Sequence, residues 1–137
     1  MKDFSNHKEI GRTANTIVYI AESDPDIMIV IPREGTMDTA RDAQENAAFF
    51  HEYARTFGKP CGSVVFLTNM LAQEPEARRA YQNIDPKLIY AAGLIVESAL
   101  SRALGSFFVG LSRPAVSTKL FDNVESAIEW IKSMRPK

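Results

Sequence analysis

The sequence predicts an α/β protein in which a mixed sheet of about four to five strands packs against about four helices. Two observations lead to this fold class. Segments with a helical spacing of apolar residues alternate with short apolar runs along most of the chain. Two of those runs, 61–69 and 88–96, lack polar alternation, which is typical of strands covered on both faces of a parallel sheet. A chain of 137 residues can enclose one core, and we expect residues 1–137 to form a single domain.

The composition excludes several functional classes. Hydrophobic residues make up 45% of the chain and charged residues 24%, so a disordered protein is excluded. The formal net charge of −1 gives too little positive field to neutralise phosphates, and we expect no nucleic-acid partner. With 1 Cys and 2 His, the sequence predicts neither a disulfide nor a metal site, and no cofactor is expected.

The sequence also carries a prediction about location. The lone Cys61 fits a reducing compartment. The charged start Met1-Lys2-Asp3-Phe4 lacks the apolar run that a signal peptide needs. We therefore expect a cytoplasmic protein.

The first predicted elements are a β-hairpin and a long helix. The β-rich runs 16–21 and 27–31 flank a cluster of turn-forming residues, and a weaker opening strand is predicted around 8–12. From 36 to 57, apolar residues recur three or four positions apart, which predicts an amphipathic helix that a following glycine and proline end. The predicted buried stripe of this helix consists of Ala40, Ala43, Ala47, Phe50, Ala54 and Phe57.

Strands and helices alternate in the second half. Glu74-Pro75-Glu76 is predicted to open a short helix through residue 82, because proline suits the first helical turn and acids suit its positive end. The run 88–96 predicts the next strand, after which Ser98 is placed to cap a helix. The predicted buried stripe of that helix consists of Leu100, Ala103, Leu104, Phe107, Phe108 and Leu111.

A last strand and helix complete the predicted order. The run 116–121 predicts the strand, and Asp122 with Glu125 has the separation of a capping box at the start of the helix. Charged residues interrupt the apolar stretch 88–111, and since a central charge is costly in a bilayer, we do not expect an integral membrane protein. The predicted buried face of the terminal helix consists of Val124, Ala127, Ile128 and Ile131.

Four segments carry a resemblance to a known family: 76–81, 98–108, 119–121 and 125–131. In these segments and in its element order, the chain is similar to the STAS or SpoIIAA-like domain, in particular to bacterial SpoIIAA-like proteins of unassigned function. The resemblance implies a SpoIIAA-like fold. It also implies a non-catalytic regulatory or interaction module that binds a protein partner.

The resemblance further implies where a switch would lie. STAS antagonists are switched by phosphorylation of a serine at the start of the helix that follows the third strand. The corresponding segment here, 67–74, contains no serine, and its only hydroxyl belongs to Thr68, which we place at the strand end. We therefore expect the serine phospho-switch to be absent.

Two groups of polar side chains are candidates for an anion or ligand site. Arg78 and Arg79 are adjacent guanidinium groups near the mouth of the predicted sheet. Ser98, Ser101 and Arg102 begin the helix after a predicted central strand, where open sheets bind ligands and helix N-termini attract anions. We expect any anionic ligand to lie near the starts of these two helices.

The same residues also have structural interpretations. Glu74 and Glu76 stand at ion-pair spacing from the two arginines of the short helix. Ser98 is a good helix cap, and Arg102 can pair with Glu97.

Binding of an apolar or anionic small molecule is the alternative function. Phe49 with Phe50, and Phe107 with Phe108, are adjacent pairs whose members point about 100° apart on a helix, so one ring of each pair is free to line a cavity. Phe49 and Tyr53 beside the buried stripe predict an exposed apolar patch and, with it, a homodimer.

The sequence does not predict an enzyme. Cys61 is predicted to be a buried small hydrophobe, and His51 with Glu52 is predicted to lie on a solvated helix face. We find no nucleophile with a neighbouring base and no glycine-rich phosphate loop in the sequence.

Overall fold

The computed structural model describes the backbone of residues 7–112 and 115–136, and the side chains of these residues except 107–112. The predicted roles of the N-terminal residues 1–4 and of the Phe107, Phe108 and Leu111 side chains lie outside the described residues. The elements are β1 (His7–Arg12), β2 (Thr16–Ala21), β3 (Asp24–Pro32), β4 (Thr36–Asp38), α1 (Ala40–Phe57), β5 (Cys61–Phe66), a 3-10 turn (Leu67–Asn69), β6 (Met70–Gln73), α2 (Pro75–Gln82), β7 (Ile89–Ile95), α3 (Ala99–Ser112), β8 (Ser117–Phe121) and α4 (Val124–Ser133).

Six strands form one mixed sheet in the order β1-β2-β3-β5-β7-β8, and β4 pairs with β6 in a separate two-stranded sheet. β1, β2 and β3 pair antiparallel, while β3, β5, β7 and β8 run parallel. The α/β class and the hairpin are confirmed. The predicted four to five strands are too few, because the weakly predicted β1 is a full member of the sheet. β4 and β6 have 3 and 4 residues, which is too short for a recognisable period.

The helices divide unequally between the two faces of the large sheet. α1, α2 and α3 pack on one face and α4 on the other. The parallel strands follow one another in order across the sheet, and right-handed crossovers that step in one direction place their helices on one face. α4 follows the edge strand β8 and covers the opposite face. β5 and β7 are therefore covered on both sides, as their unbroken apolar runs predicted.

α1 begins later than the apolar spacing predicted. Thr39 is its N-cap: the Thr39 hydroxyl accepts from the Asp42 amide, and the Asp42 carboxylate accepts from the Thr39 amide. This capping box fixes the helix start at Ala40, and the three residues assigned to its first turn form β4 instead. The predicted stripe is confirmed in the core, where Ala43, Ala47, Phe50 and Ala54 are buried.

The long apolar stretch 88–111 is a strand followed by a helix. In the described ranges 7–112 and 115–136, the structure contains no helix with the length and apolar character needed to cross a membrane.

The start of α4 corrects the predicted capping box. The N-cap is Asn123, whose side-chain oxygen accepts from the Ser126 amide at 2.8 Å. Asp122 instead accepts from the Asn123 side chain at 2.8 Å. The helix begins one residue later than the acid pair implied, so Asp122 and Glu125 do not stand in the N-cap and N3 positions.

The predicted exposed patch on α1 is covered. The Phe49 ring lies directly against Gly11 of β1, where a Cβ would collide with it. Tyr53 stacks on Phe57 with ring centroids 5.9 Å apart and donates to the Pro25 carbonyl at 2.8 Å. Both side chains are half-buried because β1 and the hairpin extend over this part of α1. The homodimer stays a prediction without this support.

α4 approaches the sheet closely because two glycines leave room for it. Gly62 on β5 faces the Ile131 side chain, and Gly93 on β7 faces Ala127. Val124, Ala127 and Ile131 are buried as predicted, whereas Ile128 is half-buried. A Cβ at Gly62 would overlap the Ile131 methyl group.

We expect Gly62→Ala to lower the free energy of unfolding by about 1–3 kcal/mol, because overpacking forces α4 away from the sheet. In an Ile131→Ala background, where the colliding methyl is gone, the same substitution should cost much less. Urea unfolding of the four proteins of this double-mutant cycle measures the coupling. Equal costs of Gly62→Ala in both backgrounds would contradict the packing.

Candidate functional site

The candidate site lies at the edge of the large sheet where the parallel strands end. β3 leads into β4, and β5 leads through the 3-10 turn into β6, so the small β4–β6 sheet sits at this carboxyl edge. Ligands of open α/β sheets bind at such edges. The inner face of the small sheet buries Asp38 and Met70, and its outer face exposes Met37 and Leu71.

A buried hydrogen-bond network surrounds Asp38, which has 0% exposure. Its carboxylate accepts from the Asn15 amide group at 3.1 Å and from the Gln73 amide group at 3.2 Å, and the Tyr81 hydroxyl also bonds to it. The Asn46 amide group donates to the Asn15 side-chain oxygen and to the Tyr81 oxygen, both at 3.1 Å. The network therefore links the residue just before β2 to four elements, β4, α1, β6 and α2.

Burial controls the protonation of this network. Loss of solvent raises the pKa of Asp38 above its ordinary value, while hydrogen bonds from Gln73, Tyr81 and Asn15 oppose that rise. Burial, together with the charge of Asp38, raises the pKa of Tyr81 well above its ordinary value. Tyr81 therefore acts as a neutral phenol.

The N-termini of α1 and α2 are joined beside the network. The Asp38 carbonyl accepts from the Glu74 amide at 2.9 Å, and the Glu74 carboxylate accepts from the Ala40 amide at 2.8 Å. Glu74 thus satisfies an unpaired amide at the start of α1. The sequence placed Glu74 as an ion-pair partner of Arg78 within α2, whereas its carboxylate turns to the neighbouring helix.

A cavity of about 70 Å³ lies between the large sheet and helices α1, α2 and α3. One part of its wall is polar and comes from the network, through Asn46, Gln73 and Tyr81. The remainder is mainly apolar and includes Val30, Phe50, Leu67, Met70, Leu94, Leu104 and Val116. Of the adjacent pair Phe49 and Phe50, it is the buried Phe50 that lines this space.

The outer face of the small sheet exposes large apolar side chains. Met37 is 56% exposed and Leu71 is 61% exposed, and they lie on the paired strands β4 and β6. Leu100, near the start of α3, is 48% exposed, and α3 packs against β6. The prediction that Leu100 and Ala103 belong to the buried stripe of α3 is wrong, because the helix turns Ser101, Leu104 and Gly105 toward the core instead. We call Met37 and Leu71 the apolar edge.

Thr68 lies in the 3-10 turn directly after β5. Its hydroxyl oxygen accepts from the Glu97 amide at 3.1 Å, which ties the end of β5 to the segment that follows β7. The sequence placed Thr68 at the strand end, and the turn there starts no α-helix but leads into β6.

The predicted anion-site residues lie on neighbouring helices, since α2 and α3 contact each other. Arg79 is exposed and pairs with Glu76 at 3.4 Å, as the structural alternative predicted, and Arg78 is half-buried. Ser98 caps α3 by accepting from the Ser101 amide at 3.0 Å. Arg102 donates to the Val96 carbonyl at 3.3 Å.

Arg102 does not make the expected pair with Glu97 within the described part of the chain, because its guanidinium turns back to the end of β7. Ser101 has 0% exposure and its hydroxyl is bonded to Ser98. The common anion site stays a prediction.

Two other expectations have clear outcomes. Cys61 is buried, and loss of solvent raises the pKa of its thiol to about 12, which fits a packing role. His51 does not lie on a solvated face: it is half-buried and accepts from the Asp85 amide at 3.0 Å. Among the described residues, no group of three or more His, Cys, Asp and Glu side chains is placed to hold a metal ion.

Sequence reasoning missed the network residues Asn15, Asp38, Asn46, Gln73 and Tyr81. One signal was present. Asn46 lies three residues after Ala43 and four before Phe50, on the buried stripe of α1. A polar residue inside such a stripe predicts a buried hydrogen-bonding site, since buried polar groups need partners.

Comparisons with known proteins bear on the fold. A family model described as Domain of unknown function (DUF7793) matches residues 21–135. The chain is also similar to a solved structure, an uncharacterized protein of the DUF3478 family with a SpoIIAA-like fold from Shewanella loihica PV-4. The identity is 12% and the TM-score 0.55, over 96% of this chain and 98% of that one. A search of curated proteins finds no match. The expected SpoIIAA-like fold is confirmed, and at this identity the likeness extends to the fold alone.

The raised pKa of Asp38 gives a prediction about stability and pH. A carboxyl whose pKa is higher in the folded than in the unfolded chain stabilises the folded protein when the pH is below the unfolded pKa of about 4. This contribution is lost as the pH rises through the folded pKa. The stability of the wild type relative to Asp38→Asn should therefore fall as pH rises from about 3 to 7. Chemical unfolding of both proteins across this range measures the difference.

Asp122→Asn is the matched control, because Asp122 is exposed. Its stability difference from the wild type should change much less over the same pH range. A difference between wild type and Asp38→Asn that stays flat with pH would contradict the assigned direction.

Proposed function

The chain belongs to the DUF7793 family, and we propose that it is a non-catalytic, STAS-like interaction module that binds a protein partner in the cytoplasm. The observation that supports this proposal is the apolar edge. Met37 and Leu71 are each more than half exposed on neighbouring short strands, and exposed apolar side chains that cluster at one place are typical of interaction surfaces. The edge adjoins the 3-10 turn that contains Thr68, close to where STAS antagonists carry their switch.

We further propose that this module works without the serine phospho-switch. The segment 67–74 has no serine. The Thr68 hydroxyl is half-buried and accepts from the Glu97 amide. Addition of a phosphate there would remove that bond and bring a doubly charged group against the end of β5.

The start of α3 offers a polar neighbour to the apolar edge. Leu100 and Arg102 are both exposed on α3, which packs on β6. We propose that Arg102, with Ser98 beside it, binds an acidic group of the partner through charge-assisted hydrogen bonds. Arg78, Arg79 and Ser101, which the sequence also assigned to an anion site, stay a prediction.

The test compares bait proteins that differ only at the apolar edge. Wild-type chain and a Met37→Asp/Leu71→Asp variant are used to capture proteins from a lysate of the native cells. Met134→Asp is the matched control, because Met134 is 38% exposed after α4, on the other face of the sheet. We expect the wild type and the control to retain a protein that the edge variant loses.

The affinity for that protein is then measured by calorimetry. We expect the edge variant to bind at least tenfold more weakly, equivalent to about 1.4 kcal/mol, with a thermal melting temperature close to that of the wild type. Arg102→Ala should also cost about tenfold if the guanidinium binds the partner. Capture of the same proteins by all variants, or of none by the wild type, would refute the proposal.

A further inference from the structure

The cavity between the large sheet and α1–α3 has a wall without formal charge. Its lining residues in the described part of the chain include no Lys, Arg, Asp or Glu. Asp38 lies behind the polar part of the wall, where its carboxylate is occupied by Asn15 and Gln73. A charged ligand would lose its hydration without gaining a counter-ion, so the cavity favours a neutral molecule.

Ser63 places a hydroxyl on this wall. It lies on β5 between Gly62 and Val64, which face α4, so its own side chain faces the cavity. Ser63 is only 3% exposed. Among the described residues, no hydrogen-bond partner is found for the Ser63 hydroxyl. The two threonines on the wall do have partners: the Thr16 hydroxyl donates to the Asn15 side-chain oxygen, and the Thr118 hydroxyl donates to the Val116 carbonyl.

An unpaired hydroxyl on the wall of a mainly apolar cavity points to a guest that supplies the missing bond. A buried polar group without a partner is disfavoured, and a ligand hydroxyl satisfies it both as donor and as acceptor. The volume of about 70 Å³ is about half that of an apolar cavity that accommodates benzene or xenon. The guest is therefore smaller than benzene.

We infer that this cavity is a binding site for a small, uncharged aliphatic molecule with one hydroxyl group, which hydrogen-bonds to Ser63. The hydrocarbon part lies against Val30, Leu94 and Leu104. This site is separate from the apolar edge, because it lies on the inner side of the small sheet. It does not depend on the proposed protein partner.

Two probes that are both smaller than benzene separate the hydroxyl from the apolar space. Xenon tests the apolar space alone, and ethanol tests the apolar space together with the hydrogen bond to Ser63. Titration of the full chain is followed by NMR, using methyl and amide shifts of the wall residues. We expect both probes to shift the wall residues saturably.

Three variants test the assignment. Ser63→Ala should weaken ethanol binding about tenfold and leave xenon binding unchanged, because only the hydroxyl is removed. Ala92→Leu, which places a larger side chain at a wall position, should abolish binding of both probes. Ala48→Leu is its control, since Ala48 is exposed on α1, and it should bind both probes like the wild type.

Several results would overturn the inference. Shifts of the wall residues that do not saturate would mean nonspecific solvation, and no shift with either probe would mean that the cavity holds water or stays closed. Equal affinity of the wild type and Ser63→Ala for ethanol would remove the role of the hydroxyl. If Ala92→Leu does not fold, Ala92→Val replaces it, with an expected loss of at least fivefold for both probes.

Discussion

The burial of one carboxyl group, Asp38, constrains much of this structure. A buried carboxyl is stable only with hydrogen-bond donors around it, and here the donors come from Asn15, Gln73 and Tyr81, on three separate segments. Those segments must meet at the carboxyl edge of the sheet for the group to be satisfied. The N-termini of α1 and α2 are brought side by side as a result, and Glu74 completes the junction by accepting from the first amide of α1.

The two faces of the large sheet differ in how many helices cover them and in how closely those helices pack. On the α4 side, glycines at positions 62 and 93 let one helix approach the strands closely. On the other side, three helices share the face because all parallel crossovers step in one direction. α1 and α2 contribute Asn46 and Tyr81 to the Asp38 network, and the space left between the three helices and the sheet is the cavity. Its position beneath the small sheet means that one thin element separates a buried space from the exposed apolar edge.

Much of the fold was predictable, because it depends on local patterns. The stripe from Ala43 to Ala54, the hairpin and the doubly covered strand β7 each carry a period or an unbroken apolar run in their own residues. The candidate site was less predictable. Ser98 was recognised as a helix cap, and Arg79 has the local ion pair that its spacing allows. Asn15 and Asp38 are 23 positions apart along the chain, and no local pattern relates them.

The sequence by itself determined the fold class, the order of most elements and the buried sides of α1 and α4. These features follow from the spacing of apolar residues, which acts over a few positions. Only the tertiary structure decided that β4 and β6 pair, that Asp38 is enclosed, and that the Ser63 hydroxyl faces a cavity. The sequence could not determine these features because the burial of a polar group depends on contacts between segments that are far apart in the chain. The same aspartate or serine is solvated or buried according to which distant segments pack around it.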